Sequence, residues 1–161
     1  MDKLWAPWRI SYIKKSDKAK KGCLFCKVAK EKADKKNLVV LRCAHTFCIL
    51  NKFPYNNGHL MVCPYRHIKN FGDLKNCEIV DLFATLNRVQ SILKKMLKPD
   101  GFNIGANIAS SAGAGIPNHL HLHVVPRWKE DTNFMPVIFN TKIISQSLQE
   151  LYAQLHRRIR K

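Results

Sequence analysis

The segment 119–125 constrains the fold more than any other part of this chain. It alternates histidine with apolar residues, so that His119, His121 and His123 lie two positions apart. Side chains alternate between the two faces of a β-strand, and this spacing therefore predicts a strand with three imidazoles on one face and apolar side chains on the other. A solvent-exposed face and a metal-only cluster are alternatives. A catalytic cluster is favoured, because titratable rings are costly to place beside a core.

The length and the charge limit the class of protein. A chain of 161 residues suits a single domain over residues 1–161. The net charge of +17 points to anionic partners, namely nucleic acid, a polyphosphate substrate or an acidic membrane surface. The lysines of residues 14–36 lack the interleaved aromatic residues of a base-stacking surface. Solvation and a general attraction for anions are therefore favoured over a nucleic-acid groove.

The hydropathy pattern and the cysteines indicate the compartment. No apolar run approaches the roughly 20 residues that a membrane helix needs, and the start of the chain has no signal-peptide pattern. Six cysteines in an unexported chain favour reduced thiols or a metal over disulfides. We therefore expect a cytoplasmic protein without a membrane partner.

The order of elements predicts an α+β fold on an antiparallel sheet of about five strands. A basic and aromatic arm over 1–22 precedes a helix that fades near Asp34, and an extension over 129–161 contains an amphipathic helix. A long helix over 74–97 is predicted from a stripe that we expect to be core, formed by Ile79, Leu82, Phe83, Leu86, Val89, Leu93 and Met96. The predicted strands are 39–42, 46–51, 59–64, 102–108 and the histidine strand.

A loop of small residues leads into the histidine strand. Glycines let backbone N–H groups approach an anion closely, and serines add hydroxyl donors. The residues concerned are Ser110, Ser111, Gly113 and Gly115. In a strongly basic chain, this loop beside three histidines suggests attack on a phosphorus centre by a histidine held in one tautomer by its neighbours.

The sequence resembles the histidine triad (HIT) family of nucleotidyl hydrolases and transferases. The family signature is His-φ-His-φ-His-φ-φ with φ apolar, and residues 119–125 fit every position. Asn51, the run 58–64 and the run 101–107 resemble the nucleoside-binding strands of the family. Residues 4–9 with Tyr12, the small-residue loop and residues 126–134 resemble the branch of diadenosine tetraphosphate phosphorylases and related hydrolases. The resemblance covers nearly the whole chain and implies a HIT-like fold.

This resemblance implies the site residues and the reaction. His121 would attack the α-phosphorus of a dinucleoside polyphosphate and carry a transient nucleotidyl group, which water or inorganic phosphate then releases. His123 would orient it or bind phosphate, and His59 would support both. The binding residues would be Asn51 for the ribose, Asn107 for the phosphate region, and Ser110, Ser111 and the amides of the Gly113–Gly115 loop for the other phosphates. No organic cofactor is expected. Many relatives carry a glutamine where this chain has Gly115, so a side-chain donor to the bridging oxygen is missing.

The pair Cys23 and Cys26 has the spacing at which two thiolates grip one ion, although such a pair can also be core packing or a redox site. The resemblance supplies His67 and His119 as further ligands and implies a structural zinc. Without zinc, His119 would return to the phosphate site. Ordinary burial is expected for Cys43, Cys48, Cys63 and Cys77.

The sequence leaves two alternative functions open, and the resemblance also indicates an assembly. Nucleoside phosphoramidates or adenylylated lysine are alternative substrates, and a zinc-stabilised nucleic-acid-binding module is an alternative class. Steep salt dependence of binding would favour that module. The resemblance implies a homodimer, in which the long helix would form part of the interface.

Overall fold

The sheet has five strands and is antiparallel throughout. A computed structural model describes residues 22–129, 131 and 143–159, so most of the arm at 1–22 and much of the segment 129–161 lie outside the described residues. The strands follow the order β1-β2-β3-β5-β4. They are β1 (Val39–Arg42), β2 (Thr46–Leu50), β3 (Leu60–Pro64), β4 (Gly101–Gly105) and β5 (Leu122–Arg127). The predicted α+β class and the five-stranded antiparallel sheet are confirmed.

Four helices accompany the sheet in the described residues. They are α1 (Leu24–Lys30), α2 (Asp34–Asn37), α3 (Asn76–Leu97) and α4 (Leu148–Ile159), with short 3-10 helices at Phe71–Asp73 and Ser110–Ala112. The long helix and the C-terminal helix are confirmed. No helix in this part of the chain combines the length and the apolar character needed to cross a bilayer.

The prediction of a single helix from residue 23 to Asp34 is wrong in its extent. Helix α1 ends at Lys30, where the side chain of Arg42 binds its last carbonyl groups. The guanidinium of Arg42 donates hydrogen bonds to the carbonyls of Val28, Ala29 and Glu31. These bonds satisfy carbonyl groups that a helix end leaves without partners. Arg42 also binds the carboxylate of Asp34 at 2.7 Å, where the separate helix α2 begins.

Two apolar clusters lie on opposite faces of the sheet. On one face, α3 and α4 pack against the strands, with Leu86 and Leu151 in the same cluster as Leu122 and Val124 of β5. On the other face, Phe25 and its neighbours from α1 pack against side chains of β2 and β3. The side chains of β5 that alternate with the histidines therefore belong to the larger core.

Part of the apolar stripe of α3 is exposed, contrary to the prediction. Leu82, Leu86, Val89 and Leu93 are buried, whereas Ile79 is 37% and Phe83 is 59% exposed. Each residue turns a helix by about 100°, so these two side chains project away from the sheet beside Val80, which is 69% exposed. Among the cysteines with no predicted role, Cys48 and Cys63 are buried, Cys43 is half-buried and Cys77 is exposed.

The histidine strand begins later than predicted. The structure starts β5 at Leu122, which pairs with Val62, so His119 and His121 precede the strand. The backbone N–H of Leu120 donates instead to the carbonyl of Ile68 at 2.7 Å. This bond to the loop after β3 replaces strand pairing at the start of the segment.

Candidate active site and metal cluster

His59, His121 and His123 form one buried cluster of rings. The ring centroids of His59 and His123 are 5.0 Å apart, and those of His121 and His123 are 4.9 Å apart. His59 comes directly before β3, and His123 lies in the neighbouring strand β5, where it pairs with Met61. The pairing of these two strands therefore brings together residues that are 64 positions apart in the sequence.

Hydrogen bonds fix the tautomers of His59 and His123. The backbone N–H of Tyr55 donates to Nδ1 of His59 at 3.0 Å, so this nitrogen of His59 carries no proton. Burial lowers the pKa of His59 to about 3 and that of His123 to about 4, and both rings are therefore neutral near pH 7. The proton of His59 is then on Nε2, which donates to Nδ1 of His123 at 2.8 Å. His123 in turn carries its proton on Nε2.

His121 has the opposite tautomer. Its Nδ1 lies 2.8 Å from the backbone carbonyl of His119, and a carbonyl oxygen can only accept. Nδ1 of His121 therefore carries the proton and Nε2 carries the lone pair. Burial lowers the pKa of His121, which favours this neutral form. The cluster thus combines a ring with a free lone pair and a neighbouring ring with an N–H donor.

Two aromatic side chains border the cluster, and neither was predicted from the sequence. The buried ring of Phe25 lies 5.0 Å from His121 and 5.3 Å from His119, measured between centroids. Tyr55 lies 4.6 Å from His59 and 5.7 Å from His123. The positions of Phe25 between the two cysteines and of Tyr55 shortly before His59 are the only sequence signals for these contacts.

Asn51 lies at the edge of the same cluster. Its backbone N–H donates to the carbonyl of His59 at 3.0 Å, and its Oδ1 accepts from the backbone N–H of Phe53 at 2.9 Å. This second bond orients the amide, and Nδ2 lies 3.4 Å from Nδ1 of His59. The structure therefore brings together Asn51 and the histidines.

The small-residue loop is less closely connected to the rings. Gly105 of β4 pairs with His123, so Asn107 follows the strand end beside the cluster. Ser110 and Ser111 are exposed in a 3-10 helix, and Gly113 ends it with φ of 84°, while Gly115 is half-buried. In the part of the chain that the structure describes, no side-chain hydrogen bond joins Asn107 or either serine to the histidines.

Cys23, Cys26, His67 and His119 form a second cluster beside the first. One ligand atom from each lies within 4.8 Å of the other three. Sγ of Cys23 is 3.3 Å and Sγ of Cys26 is 3.6 Å from Nδ1 of His119, and Sγ of Cys26 is 3.2 Å from Nδ1 of His67. Ligands of a tetrahedral zinc lie about 3.6 Å apart for sulfur and nitrogen, given the usual bond lengths. The four residues therefore fit a zinc ion.

The tautomer of His119 also suits a metal. Its Nε2 lies 2.9 Å from the carbonyl oxygen of Pro64 and must donate to it, which leaves the lone pair on Nδ1, the atom that faces both sulfurs. Burial lowers the pKa of His119, so the ring is neutral. The structure thus places Nδ1 of His119 in the cysteine cluster and the backbone carbonyl of His119 against His121.

The chain belongs to the HIT domain family, whose domain matches residues 32–130. The AP-4-A phosphorylase of Mycobacterium tuberculosis is 36% identical over 157 residues, which cover 93% of this chain and 80% of that protein. The bis(5'-nucleosyl)-tetraphosphatase [asymmetrical] of Schizosaccharomyces pombe is 32% identical over 91 residues, or 56% of this chain and 50% of that protein.

Solved structures share the fold. A hypothetical histidine triad nucleotide-binding protein from Sulfolobus tokodaii superposes with a TM-score of 0.69 at 26% identity, and the match covers 86% of this chain and 92% of that one. A Zn-bound histidine triad family protein from Mycobacterium smegmatis also has a TM-score of 0.69, at 24% identity, over 86% of this chain and 94% of that one. The second likeness shows the fold alone.

Proposed function

We propose that this protein cleaves dinucleoside polyphosphates, with diadenosine tetraphosphate as the preferred substrate, through a nucleotide bound covalently to His121. The observation that carries the proposal is the bond from Nδ1 of His121 to the carbonyl of His119, which leaves Nε2 as a neutral nucleophile. The relatives named for a phosphorylase and a tetraphosphatase of this substrate class support it.

The first step forms a bond between Nε2 of His121 and the α-phosphorus. The bond from that phosphorus to the bridging oxygen breaks, and its electron pair leaves with ATP when the substrate is diadenosine tetraphosphate. His123 is the neighbour that can donate from Nε2 to a phosphate oxygen, where negative charge develops in the transition state. His59 acts through His123, because it holds Nδ1 of that ring.

The second step releases the nucleotide. We propose inorganic phosphate as the acceptor, so that a phosphate oxygen bonds to the nucleotidyl phosphorus, the bond to Nε2 breaks, and ADP forms. The similarity to an AP-4-A phosphorylase over 93% of the chain supports this choice. Water would give AMP in the same step.

The remaining predicted residues would bind the substrate. Asn51 would hold ribose hydroxyls, and Asn107 would contact the phosphates. Ser110, Ser111 and the loop amides of Gly113 and Gly115 would bind the phosphates that leave. The position of Asn107 just beyond the strand pair of Gly105 and His123 supports its place beside the reacting group.

We propose a structural zinc on Cys23, Cys26, His67 and His119. Four protein ligands leave no open position, so the metal would supply structure and not catalysis. It would tie α1 to the segment before β5 and hold the carbonyl of His119, which orients His121. His119 therefore belongs to the metal cluster and supports the catalytic residue through its backbone.

We also propose a cytoplasmic homodimer. Val80 and Phe83 of α3 and Ile104 of the edge strand β4 are large apolar side chains with 43–69% exposure, as an interface requires. The six cysteines, all described and all free thiols, support a reducing compartment.

The test is to incubate the protein with diadenosine tetraphosphate with and without phosphate. We expect ADP and ATP with phosphate, a nucleotidyl adduct on His121 when the reaction is trapped, and loss of turnover by a factor of about 1000 or more in His121→Ala. His45→Ala is the matched control, since His45 lies outside the cluster. Turnover by His121→Ala at the native rate would refute the proposal. If the protein cleaves nucleoside phosphoramidates and not diadenosine tetraphosphate, the proposed substrate is wrong.

A further inference from the structure

The side-chain amide of Asn56 joins the turn over 54–58 to the end of strand β5. Its Nδ2 donates to the backbone carbonyl of Pro126 at 3.1 Å and to Oδ2 of Asp131 at 2.8 Å, so each of the two amide protons has an acceptor. Asn56 is only 7% exposed. One buried side chain therefore holds the turn against β5.

These contacts close a ring of bonds around two of the histidines. The backbone carbonyl of Asn56 accepts from the N–H of His59 at 3.2 Å, and the N–H of Tyr55 donates to Nδ1 of the same histidine at 3.0 Å. Nε2 of His59 donates to Nδ1 of His123, which lies in β5 together with Pro126. The turn is thus connected to β5 twice, once through the two rings and once through the amide of Asn56.

The carboxylate of Asp131 anchors this amide. The side chain of Asp131 is 6% exposed, and it also accepts from Nε of Arg127 at 2.6 Å and from the backbone N–H of Trp128 at 3.2 Å. A hydrogen bond to an ionised acceptor is about twice as strong as one between neutral groups. The bond from Asn56 to Asp131 is therefore suited to fix the orientation of the amide.

The position of the turn matters because the N–H of Tyr55 can only donate. It keeps the lone pair of His59 on Nδ1 and, through the bond between the rings, the proton of His123 on Nε2. If the turn moves away, water replaces the N–H, and water can donate as well as accept. His59 can then carry its proton on Nδ1. In that case His123 must donate from Nδ1 and has no N–H on Nε2.

We infer that Asn56, anchored by Asp131, is a positioning residue that holds the turn and thereby selects the tautomers of His59 and His123. The selection of tautomers does not depend on the proposed reaction. Its consequence for turnover rests on the proposed function, in which Nε2 of His123 donates to a phosphate oxygen.

The first test is NMR of the ring nitrogens in the full chain without substrate, which distinguishes protonated from unprotonated nitrogen. In the native chain, His59 and His123 should each have a single tautomer with the proton on Nε2. In Asn56→Ala, both rings should become mixtures of two tautomers. Asn37→Ala is the matched control and should keep the native tautomers, because the amide of Asn37 also donates to a carboxylate at 2.8 Å, that of Glu31, outside the ring cluster.

His121 is the internal control of the same spectra, because the carbonyl of His119 sets its tautomer independently of the turn. Native tautomers of His59 and His123 in Asn56→Ala would overturn the inference. A change in the tautomer of His121 as well would also overturn it, since it would indicate a general loss of structure.

Asp131→Ala is the second variant, and it decides the question if Asn56→Ala does not fold. It removes the anchor and leaves the bond from Asn56 to Pro126 in place. We expect the same mixture of tautomers in His59 and in the ring that it contacts, with a smaller share of the second form. Native tautomers in Asp131→Ala would contradict the role of the anchor.

Kinetics test the consequence for turnover. Asn56→Ala should lower kcat for diadenosine tetraphosphate about tenfold, the loss expected for one hydrogen bond, and should change KM less. Asn37→Ala should keep the native kcat. Because Asn56 acts through His59, the double variant Asn56→Ala/His59→Leu should be no slower than His59→Leu, and additive losses would show a general structural role instead. If the native chain does not cleave this substrate, the proposed function fails, whereas the ring spectra still decide the inference.

Discussion

Nε2 of His59 lies 2.8 Å from Nδ1 of His123, and this contact joins the residue before β3 to the strand β5. Because the backbone N–H of Tyr55 occupies the other nitrogen of His59, the direction of the bond is set by the backbone. The proton of His123 is consequently on the nitrogen that does not face His59. A main-chain group of the turn over 54–58 thus determines how a ring in the neighbouring strand can act on a substrate.

Loss of the His59 ring should lower turnover with little effect on substrate affinity. In His59→Leu, no donor holds Nδ1 of His123, and we expect kcat for diadenosine tetraphosphate to fall about tenfold, which corresponds to one hydrogen bond. The KM should change less than kcat, because His59 acts through His123. Steady-state kinetics of His59→Leu and of the control His45→Leu measure the difference, and equal kcat values would contradict this role.

Acid should destabilise the protein through the buried histidines. An unfolded histidine has a pKa of about 6.5, whereas burial lowers the pKa of His59 to about 3 and that of His123 to about 4. Below pH 6.5 the unfolded state therefore binds more protons than the folded state. The contribution of these two rings to the free energy of unfolding is fully present above that pH. It should fall as the pH decreases toward 4, by about 1.4 kcal/mol per pH unit for each ring.

Urea unfolding at a series of pH values measures this slope. His59→Leu removes one of the buried rings and should decline less steeply than the native chain between pH 6 and 4.5, whereas the carboxylates are the same in both chains. The cysteine cluster is the same in both chains and cancels in the comparison. Parallel curves would show that His59 is not neutral in the folded protein.

The spacing of two positions predicted that the rings of His121 and His123 lie close together, and their centroids are 4.9 Å apart although β5 begins only at Leu122. It also placed Cys23, Cys26, His67 and His119 together through the resemblance, and the structure brings one ligand atom of each within 4.8 Å of the others. It did not predict that β5 begins at Leu122, because the bond from Leu120 to Ile68 depends on a loop 52 positions away.

The exposure of Phe83 was also not predicted, again because it depends on contacts between distant parts of the chain. The helical spacing of α3 predicted the helix, but the width of the face that the sheet covers depends on tertiary packing. The contacts of Tyr55 and Phe25 with the histidine rings were likewise outside what spacing can show.

Removal of one cysteine should release the metal and loosen the site. We expect the purified chain to contain about one zinc ion and Cys26→Ser to contain almost none, since Cys26 lies close to both histidine ligands. The melting temperature should fall by several degrees, and kcat should fall with it, because the carbonyl of His119 orients His121.

Elemental analysis and thermal unfolding check this prediction. Cys77→Ser is the control, because Cys77 is exposed on α3 and far from the cluster in the sequence. If the native chain contains no metal and is nevertheless fully stable, the four residues are not a structural zinc site. Retention of zinc by Cys26→Ser would mean that another ligand set holds it.

Gly58 should be intolerant of any side chain. Its φ of 78° lies in the left-handed region, which costs about 1–2 kcal/mol for other residues. A Cβ atom there would lie 2.8 Å from Cδ1 of Leu97 and 3.0 Å from Cγ of Pro126, so the side chain of Leu97 and the ring of Pro126 would have to move. We expect Gly58→Ala to lower the free energy of unfolding by about 2–5 kcal/mol, the sum of about 1–2 kcal/mol for the backbone and about 1–3 kcal/mol for overpacking. Because the same turn carries the N–H of Tyr55, kcat should fall in the fraction that remains folded.

Gly72→Ala is the matched control, since its Cβ would meet no atom within 4 Å and its φ is not positive. Denaturant unfolding of both variants measures the difference, and a Gly58→Ala chain as stable as Gly72→Ala would show that the turn has room for another conformation.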